Sequence, residues 1–206
     1  MNRPLIDISR PLAATTACWP GDIETALRRN ASLAEGASVN LSSITASVHN
    51  ATHADASLHY SDNGVPIEQH DLARYIGRCV VVSVIGRELI EPGDLPDDLP
   101  PRVLFRTDGW PDSGTFPAFF PTLSEAAVTH LGSQGVQLIG VDVPSVDVPT
   151  SKTLPIHHAL HAADICIVES LDLNGVTPGS YELIALPILI AGSDGAFVRA
   201  VLRPYE

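Results

Sequence analysis

His49-Asn50-Ala51-Thr52-His53-Ala54-Asp55-Ala56-Ser57-Leu58-His59-Tyr60 is the stretch around which the rest of the chain is read. Three of the eight histidines in 206 residues fall here within eleven positions, together with an aspartate. Imidazole nitrogen and carboxylate oxygen are the donors that borderline divalent metals such as zinc prefer. On a straight helix His49 and His53 share a face, but Asp55 points away from it. On a straight strand all four share a face, yet a rise of ~3.3 Å per residue sets His49 and Asp55 about 20 Å apart. Donors to one ion must come within ~2 Å of it. The chain therefore has to turn here, and a ligand loop between regular elements is expected.

Working outward, the upstream stretch from Val39 to Val48 is strand-like with a phase slip. Val39 and Leu41 share one parity, and Ile44, Ala46 and Val48 the other, which predicts a bulge near Ser42-Ser43. Further back, Leu5 to Ile8 reads as a strand, followed by a loop carrying Trp19 and the turn pair Pro20-Gly21. Downstream, Ser61 to Gly64 is a turn and Ile67 to Ile76 holds a short helix or helical turn. Arg78 to Ile85 and Val103 to Thr107 are β-branched or apolar runs expected as buried strands. Between them, Glu91 to Pro101 is a surface loop. Asp108 to Phe120, rich in Pro, Gly and aromatics, is long enough to roof a site.

Thr122-Leu123-Ser124-Glu125 has capping-box spacing ahead of a helix that Gly132 and Gly135 end. Gln137 to Val143 and Ile165 to Glu169 are strands flanking a helix at Ile156 to Ala163. Tyr181 to Leu186 and Phe197 to Leu202 close the chain as strands. About eight strands and two or three helices without regular alternation favour α+β over a doubly wound sheet. One domain over residues 1–206 is expected.

Apolar residues make up 45% of the chain, as in a globular protein. Twelve basic against 24 acidic residues give −12, which argues against nucleic acid and anionic membrane partners. Cys18, Cys79 and Cys166 are unpaired in pattern and read as small buried side chains. The first residues lack the apolar core of a signal peptide and no run has transmembrane length, so a cytoplasmic location is expected.

A second cluster, His157-His158-Ala159-Leu160-His161, lies on the short helix, with Glu169 at the end of an apolar strand. Glu169 either faces solvent at the strand end or is buried and paired, since an unpaired buried carboxylate is costly. A lone histidine is more often a hydrogen-bonded structural residue, but two clusters holding six of eight histidines favour metal binding. There is no GxSxG elbow, Walker A motif or dinucleotide fingerprint. A serine nucleophile at Ser145 or Ser151, aided by Lys152 or a histidine, is the weaker alternative, because turn chemistry accounts for those residues. His70 and His130 read as surface residues.

With both clusters in view, the chain resembles the cyclase-like metal-dependent hydrolases, whose motif is HxGTHxDxPxH, and within them the branch that removes formyl groups from aryl formamides. The likeness rests on Trp19-Pro20-Gly21-Asp22, the His49–His59 motif, Asp142 to Asp147, Ser151-Lys152-Thr153, Pro178 to Pro187 and Val198 to Arg203. The resemblance implies a swivelling β/β/α fold, assembled as homodimers or larger oligomers, and two zinc ions. By it, His49, His53 and Asp55 hold one zinc, and Asp55, His157 and Glu169 the other. The interval to Glu169 favours His157 over His158. His59 is then the proton donor and acceptor, and Trp19 a substrate contact. The implied reaction is hydrolysis of N-formyl-L-kynurenine to L-kynurenine and formate in tryptophan degradation, by a hydroxide shared between the two ions. Alternatives are another amide or lactam hydrolase of the family, such as one acting on isatin with manganese, and a non-catalytic metal-binding protein on the same fold. Two positions depart from the motif. Ala51 stands for its Gly, implying negative φ or strain, and Ser57 for its Pro.

Overall fold

In the computed structural model, residues 4–205 are described. The strands in chain order are β1 (Ile6–Asp7), β2 (Ala26–Ala31), β3 (Leu41–Thr45), β4 (His53–Asp55), β5 (Ile76–Ser83), β6 (Leu89–Ile90), β7 (Arg102–Arg106), β8 (Thr122–Leu123), β9 (Leu138–Val141), β10 (Cys166–Glu169), β11 (Gly179–Ile184), β12 (Gly195–Phe197) and β13 (Val201–Pro204). The helices are α1 (Glu125–Ser133) and α2 (Pro155–Ala162). Nine strands form one sheet in the order β1-β13-β11-β5-β7-β9-β10-β4-β12.

The β-branched runs become the middle of this sheet. β5, β7, β9 and β10 are parallel neighbours, and the flanking pairs are antiparallel. A parallel strand covered on both faces needs apolar side chains on both parities. Here Val103, Phe105, Ile139, Val141 and Ile167 face Val128 and Leu131 of α1 and Ile156 and Leu160 of α2. The other parity, Val81, Leu104, Leu138 and Val168, packs with Leu202 of β13 and with Ala54 and Ala196 of β4 and β12. Strands from opposite ends of the order thus share one cluster, so the sheet curls around it. The result is the expected α+β class, strand-rich with two α-helices.

Several local expectations change. Phe197 to Leu202 is not one strand: β12 is one edge of the sheet and β13 lies next to the other edge, the two joined by Val198-Arg199-Ala200. The apolar alternation is continuous because both strands bury side chains in the same cluster. The helix α1 is capped by Ser124, whose hydroxyl accepts from Ala127 N at 3.1 Å, while Thr122 belongs to β8. β2 was not expected, because Ala26-Leu27-Arg28-Arg29-Asn30-Ala31 does not alternate apolar and polar residues as a strand does. It pairs with β3 in a separate hairpin whose irregularity falls between Arg29 and Ala31, rather than at Ser42-Ser43. Ile67 to Ile76 holds two 3₁₀ turns, Ile67–Gln69 and Leu72–Tyr75. His70 is half-buried, with Nδ1 2.8 Å from the Tyr75 hydroxyl, and Cys18 is only partly covered.

Candidate active site

β4 is only three residues long and wholly buried, held between β10 and β12. Its two-residue period puts His53 and Asp55 on one face. In the antiparallel register with β10, Glu169 lies directly opposite His53. One face of a two-strand ladder therefore presents His53, Asp55 and Glu169, all nearly inaccessible to solvent. Sequence turns on either side deliver the other two histidines: His49 precedes β4, and His59 ends the 3₁₀ turn Ser57–His59.

His157 arrives from the first turn of α2. Asp147 accepts from the Ile156 and His157 backbone N–H groups at 3.2 and 3.0 Å, satisfying donors that a helix start leaves free. The same carboxylate lies 2.7 Å from His157 Nδ1, which turns Nε2 toward the ladder. His158 and His161 are exposed and pack their rings near Tyr60 instead. Of the three helix histidines, His157 is the one brought to Asp55 and Glu169.

The interatomic distances test whether these residues suit a metal. Donors ~2.0–2.1 Å from one tetrahedral ion lie roughly 3.3 Å from each other. His53 Nε2 is 3.4 Å from both Asp55 Oδ1 and Glu169 Oε2. His157 Nε2 is 3.4 Å from Asp55 Oδ2 and 3.7 Å from Glu169 Oε1. His49 Nδ1 is 2.9 Å from Asp55 Oδ1. Buried His53 Nε2 and Asp55 Oδ2 make no hydrogen bond, although such atoms are rarely left unpaired. His53 Nδ1 is held by the Ala51 carbonyl at 2.9 Å, a hydrogen bond that orients the ring with Nε2 toward the carboxylates. The donor set fits a divalent cation. Two compact groups stand out among the described residues: His53, Asp55 and Glu169; and His49, Asp55 and His59.

Electrostatics point the same way. Burial opposes charge on His53, yet Asp55 and Glu169 outweigh it and push its pKa up to about 10. Burial likewise opposes charge on His157, but Asp147 and Asp55 raise it to about 10. His49 rises to about 9 against burial, through Asp194 and Asp55. Burial alone would raise Asp55; His157, His49 and His53 instead hold it well below the usual carboxylate range. Two buried carboxylates thus demand positive charge at their centre, from protons or from a cation.

This cluster opens into a cavity of about 330 Å³ lined by Trp19, Trp110 and Phe116 as well as by His49, His53, His59, His157 and Glu169. Phe116 meets Trp19 edge-on at 5.2 Å and lies 6.5 Å from Trp110. The aromatic loop at Asp108 to Phe120 joins the Trp19 loop through Ala17 N donating to Ser113 O at 2.7 Å. Arg10 braces it by donating to the carbonyls of Trp110 and Asp142 at 2.9 and 3.1 Å. Ser145 and Ser151 also line the cavity, but their hydroxyls accept from Asp147 N and Leu154 N, as turn residues do. Of the five described non-glycine residues with positive φ, Ala51 (56°), Leu154 (45°) and Ser170 (58°) line this cavity. Backbone strain concentrates at the site.

Four contributors were not singled out in the sequence. Asp147 was visible only as part of a polar loop, and Phe116 and Trp110 only as aromatics in a candidate roof. Asp194, in Gly192-Ser193-Asp194-Gly195, carries no signal beyond that of a turn. Its Oδ2 lies 3.1 Å from His49 Nε2 and 3.4 Å from His59 Nδ1, and the His49 contact holds its carboxyl well below the usual range.

Fold and site together define a cyclase-type domain. The Cyclase family model, described as "Putative cyclase", matches residues 6–148, and the chain belongs to this family. Among curated proteins, it is 41% identical over 208 aligned residues to a kynurenine formamidase from Geobacillus thermodenitrificans (strain NG80-2), covering 98% of this chain and 99% of that one. Among solved structures, "The Structure Of Potential Metal-Dependent Hydrolase With Cyclase Activity" superposes with a TM-score of 0.85 at 25% identity, covering all of both chains. Isatin hydrolase A from Labrenzia aggregata shares the fold, with a TM-score of 0.81 at 19% identity over 98% of this chain and 94% of that one.

Proposed function

We propose that this chain is a metal-dependent amide hydrolase that converts N-formyl-L-kynurenine to L-kynurenine and formate in tryptophan degradation. The observation that carries the reading is the buried His53, Asp55, His157 and Glu169 set, spaced as metal donors and opening on an aromatic-walled cavity. The substrate assignment draws on the curated relative, similar over nearly its whole length.

Two zinc ions are the proposed cofactor. Asp55 sits between two donor sets: Oδ1 faces His49 and His53, and Oδ2 faces His157. Glu169 turns one oxygen to His53 and the other to His157. When bound, divalent cations bring the pKa of a coordinated water toward neutrality and draw electron density from the formyl oxygen. The reaction consumes one water: its hydroxyl ends on the formyl carbon, the C–N bond breaks, and the arylamine nitrogen gains a proton. His59 carries that proton, because an imidazole can take a proton on one ring nitrogen and pass it on, and the ring reaches the cavity. Trp19, with Phe116 and Trp110, packs the aryl ring and keeps water from it.

The test is steady-state hydrolysis of N-formylkynurenine by zinc-loaded protein, with isatin as the competing substrate. Chelation should abolish formate release and zinc should restore it. Full activity without metal removes the mechanism. Bound metal with no hydrolysis of any aryl formamide favours a binding protein instead. Preference for isatin moves the substrate to the lactam branch.

The enzyme is proposed to act in the cytoplasm; no helix of the described residues is long and apolar enough to cross a membrane. It is further proposed to act as a homodimer or larger homo-oligomer, with the β2–β3 hairpin meeting a second copy. Leu27 and Ile44 are cross-strand partners there, and both are exposed.

A further inference from the structure

We infer that Asp194 is the positioning residue for His59, holding its ring as one tautomer with Nδ1 protonated and Nε2 left free for proton transfer. The inference rests on the reading of the site as a formamide hydrolase with His59 as its proton carrier.

His59 is not held by its own segment. It ends a one-turn 3₁₀ segment at the exposed rim, where a free imidazole would rotate and exchange tautomers. Its ring lies over that of His49, with centroids 3.9 Å apart, a contact that fixes no nitrogen. Among the described residues, the polar partner of its ring is Asp194, with Oδ2 3.4 Å from Nδ1. An ionised carboxylate only accepts, so the facing nitrogen must carry the proton. The tautomer of a histidine follows from the partner of one nitrogen, and the other is then free to act.

Asp194 is itself well placed to hold a ring still. Its backbone carbonyl accepts from Ala56 N at 2.9 Å, at the end of the metal-donor strand. The next residue, Gly195, pairs with Asp55 across the ladder. A Cβ at Gly195 would come within 2.9 Å of His49 Cε1, so the chain passes here as closely as His49 allows. The same Asp194 oxygen also lies 3.1 Å from His49 Nε2. Asp194 could therefore act on His49 alone, and the experiment must separate the two histidines. The arrangement also bears on the compact group of His49, Asp55 and His59: Asp194 engages the Nδ1 of His59 and so withholds that nitrogen from a cation.

The experiment uses full-length, zinc-loaded protein and compares the parent with Asp194→Ala, His59→Ala and the double variant. Bound zinc is measured alongside kcat and KM for N-formyl-L-kynurenine, and ¹⁵N-histidine NMR assigns the ring nitrogens of His59. The expected results are a His59 protonated at Nδ1 in the parent and a kcat roughly 10–100-fold lower in Asp194→Ala. KM and zinc content should stay within about twofold, and Asp194→Ala should cause no further loss in the His59→Ala background, the signature of two residues acting as one unit. An equal loss in both backgrounds, or loss of zinc, places the action of Asp194 on His49 and overturns the proposal. So does an unchanged kcat, or a parent His59 protonated at Nε2. If the Ala variant does not fold, Asp194→Asn carries the same comparison. A parent that does not hydrolyse the substrate refutes the functional reading, while the NMR result still decides the Asp194–His59 pairing.

Discussion

Asp55 is the residue on which the site turns, because its two oxygens face different histidines. Oδ1 lies 2.9 Å from His49 Nδ1 and 3.4 Å from His53 Nε2, and Oδ2 lies 3.4 Å from His157 Nε2. His59 stands apart from this buried set at the cavity rim. His59→Ala should therefore keep bound zinc and lose about 10²–10⁴-fold in turnover, measured by metal analysis and formate release. Turnover within twofold of the parent would remove its role. Ala51 shows how strain is carried at this scale. Its φ of 56° costs an L-residue roughly 1–2 kcal/mol. Ala51→Gly relieves that strain, but loses about 0.8 kcal/mol of buried methyl. It also gives up about 0.4–1 kcal/mol through a freer unfolded chain. Urea unfolding of the variant should thus stay within about 1 kcal/mol of the parent. A much larger loss would mean the Ala51 methyl packs better than this balance allows.

At the scale of elements, β4 is held in place from both sides and α2 from its first turn. Asp147 serves α2 twice, accepting two backbone N–H groups and orienting His157. Asp147→Ala should lower stability by about 0.5–2 kcal/mol, as loss of a helix-start acceptor does, and weaken zinc binding. Thermal unfolding and zinc titration read the two effects separately. In β9, Gly140 lets neighbouring strands and loops close up: an added Cβ would meet Leu104 Cδ2 at 2.5 Å and Leu171 Cδ1 at 2.6 Å. Gly140→Ala should destabilise by about 1–3 kcal/mol through overpacking. For a chain of this size that is a drop in Tm of roughly 2–4 °C per kcal/mol. An unchanged Tm would show that the two leucines shift freely.

Across the whole molecule, the nine-stranded sheet brings both ends of the chain together, with β1 paired to β13. The β2–β3 hairpin stands outside it, and its paired Leu27 and Ile44 are exposed. Two-stranded hairpins are marginal in water by themselves. Covered by a second copy, this one would gain an apolar contact. The double variant Leu27→Asp, Ile44→Asp should shift the mass measured by light scattering from dimer to monomer. A parent that is already monomeric would remove the proposed assembly.

The sequence alone sufficed for what local chemistry dictates. The central strands show as β-branched runs because both their faces are buried, and two clusters holding six of the eight histidines favour metal binding, while the division into ligands comes only through the family resemblance. Local pattern failed where a residue's role comes from something distant in the chain. Phe197 to Leu202 reads as one strand, because alternation records burial and not which edge of the sheet a segment joins. β2, Ala26–Ala31, lacks apolar alternation and becomes a strand through its pairing with β3. The resemblance favours His157 over His158, and the docking of the helix, with Asp147 turning one ring inward, brings His157 to Asp55 and Glu169. Glu169 reaches His53 through the β4–β10 register, and Asp194 reaches His49 and His59 from more than a hundred residues away. Side-chain chemistry is written residue by residue, but the distance between two side chains is set by pairing and packing, which only the tertiary structure decides.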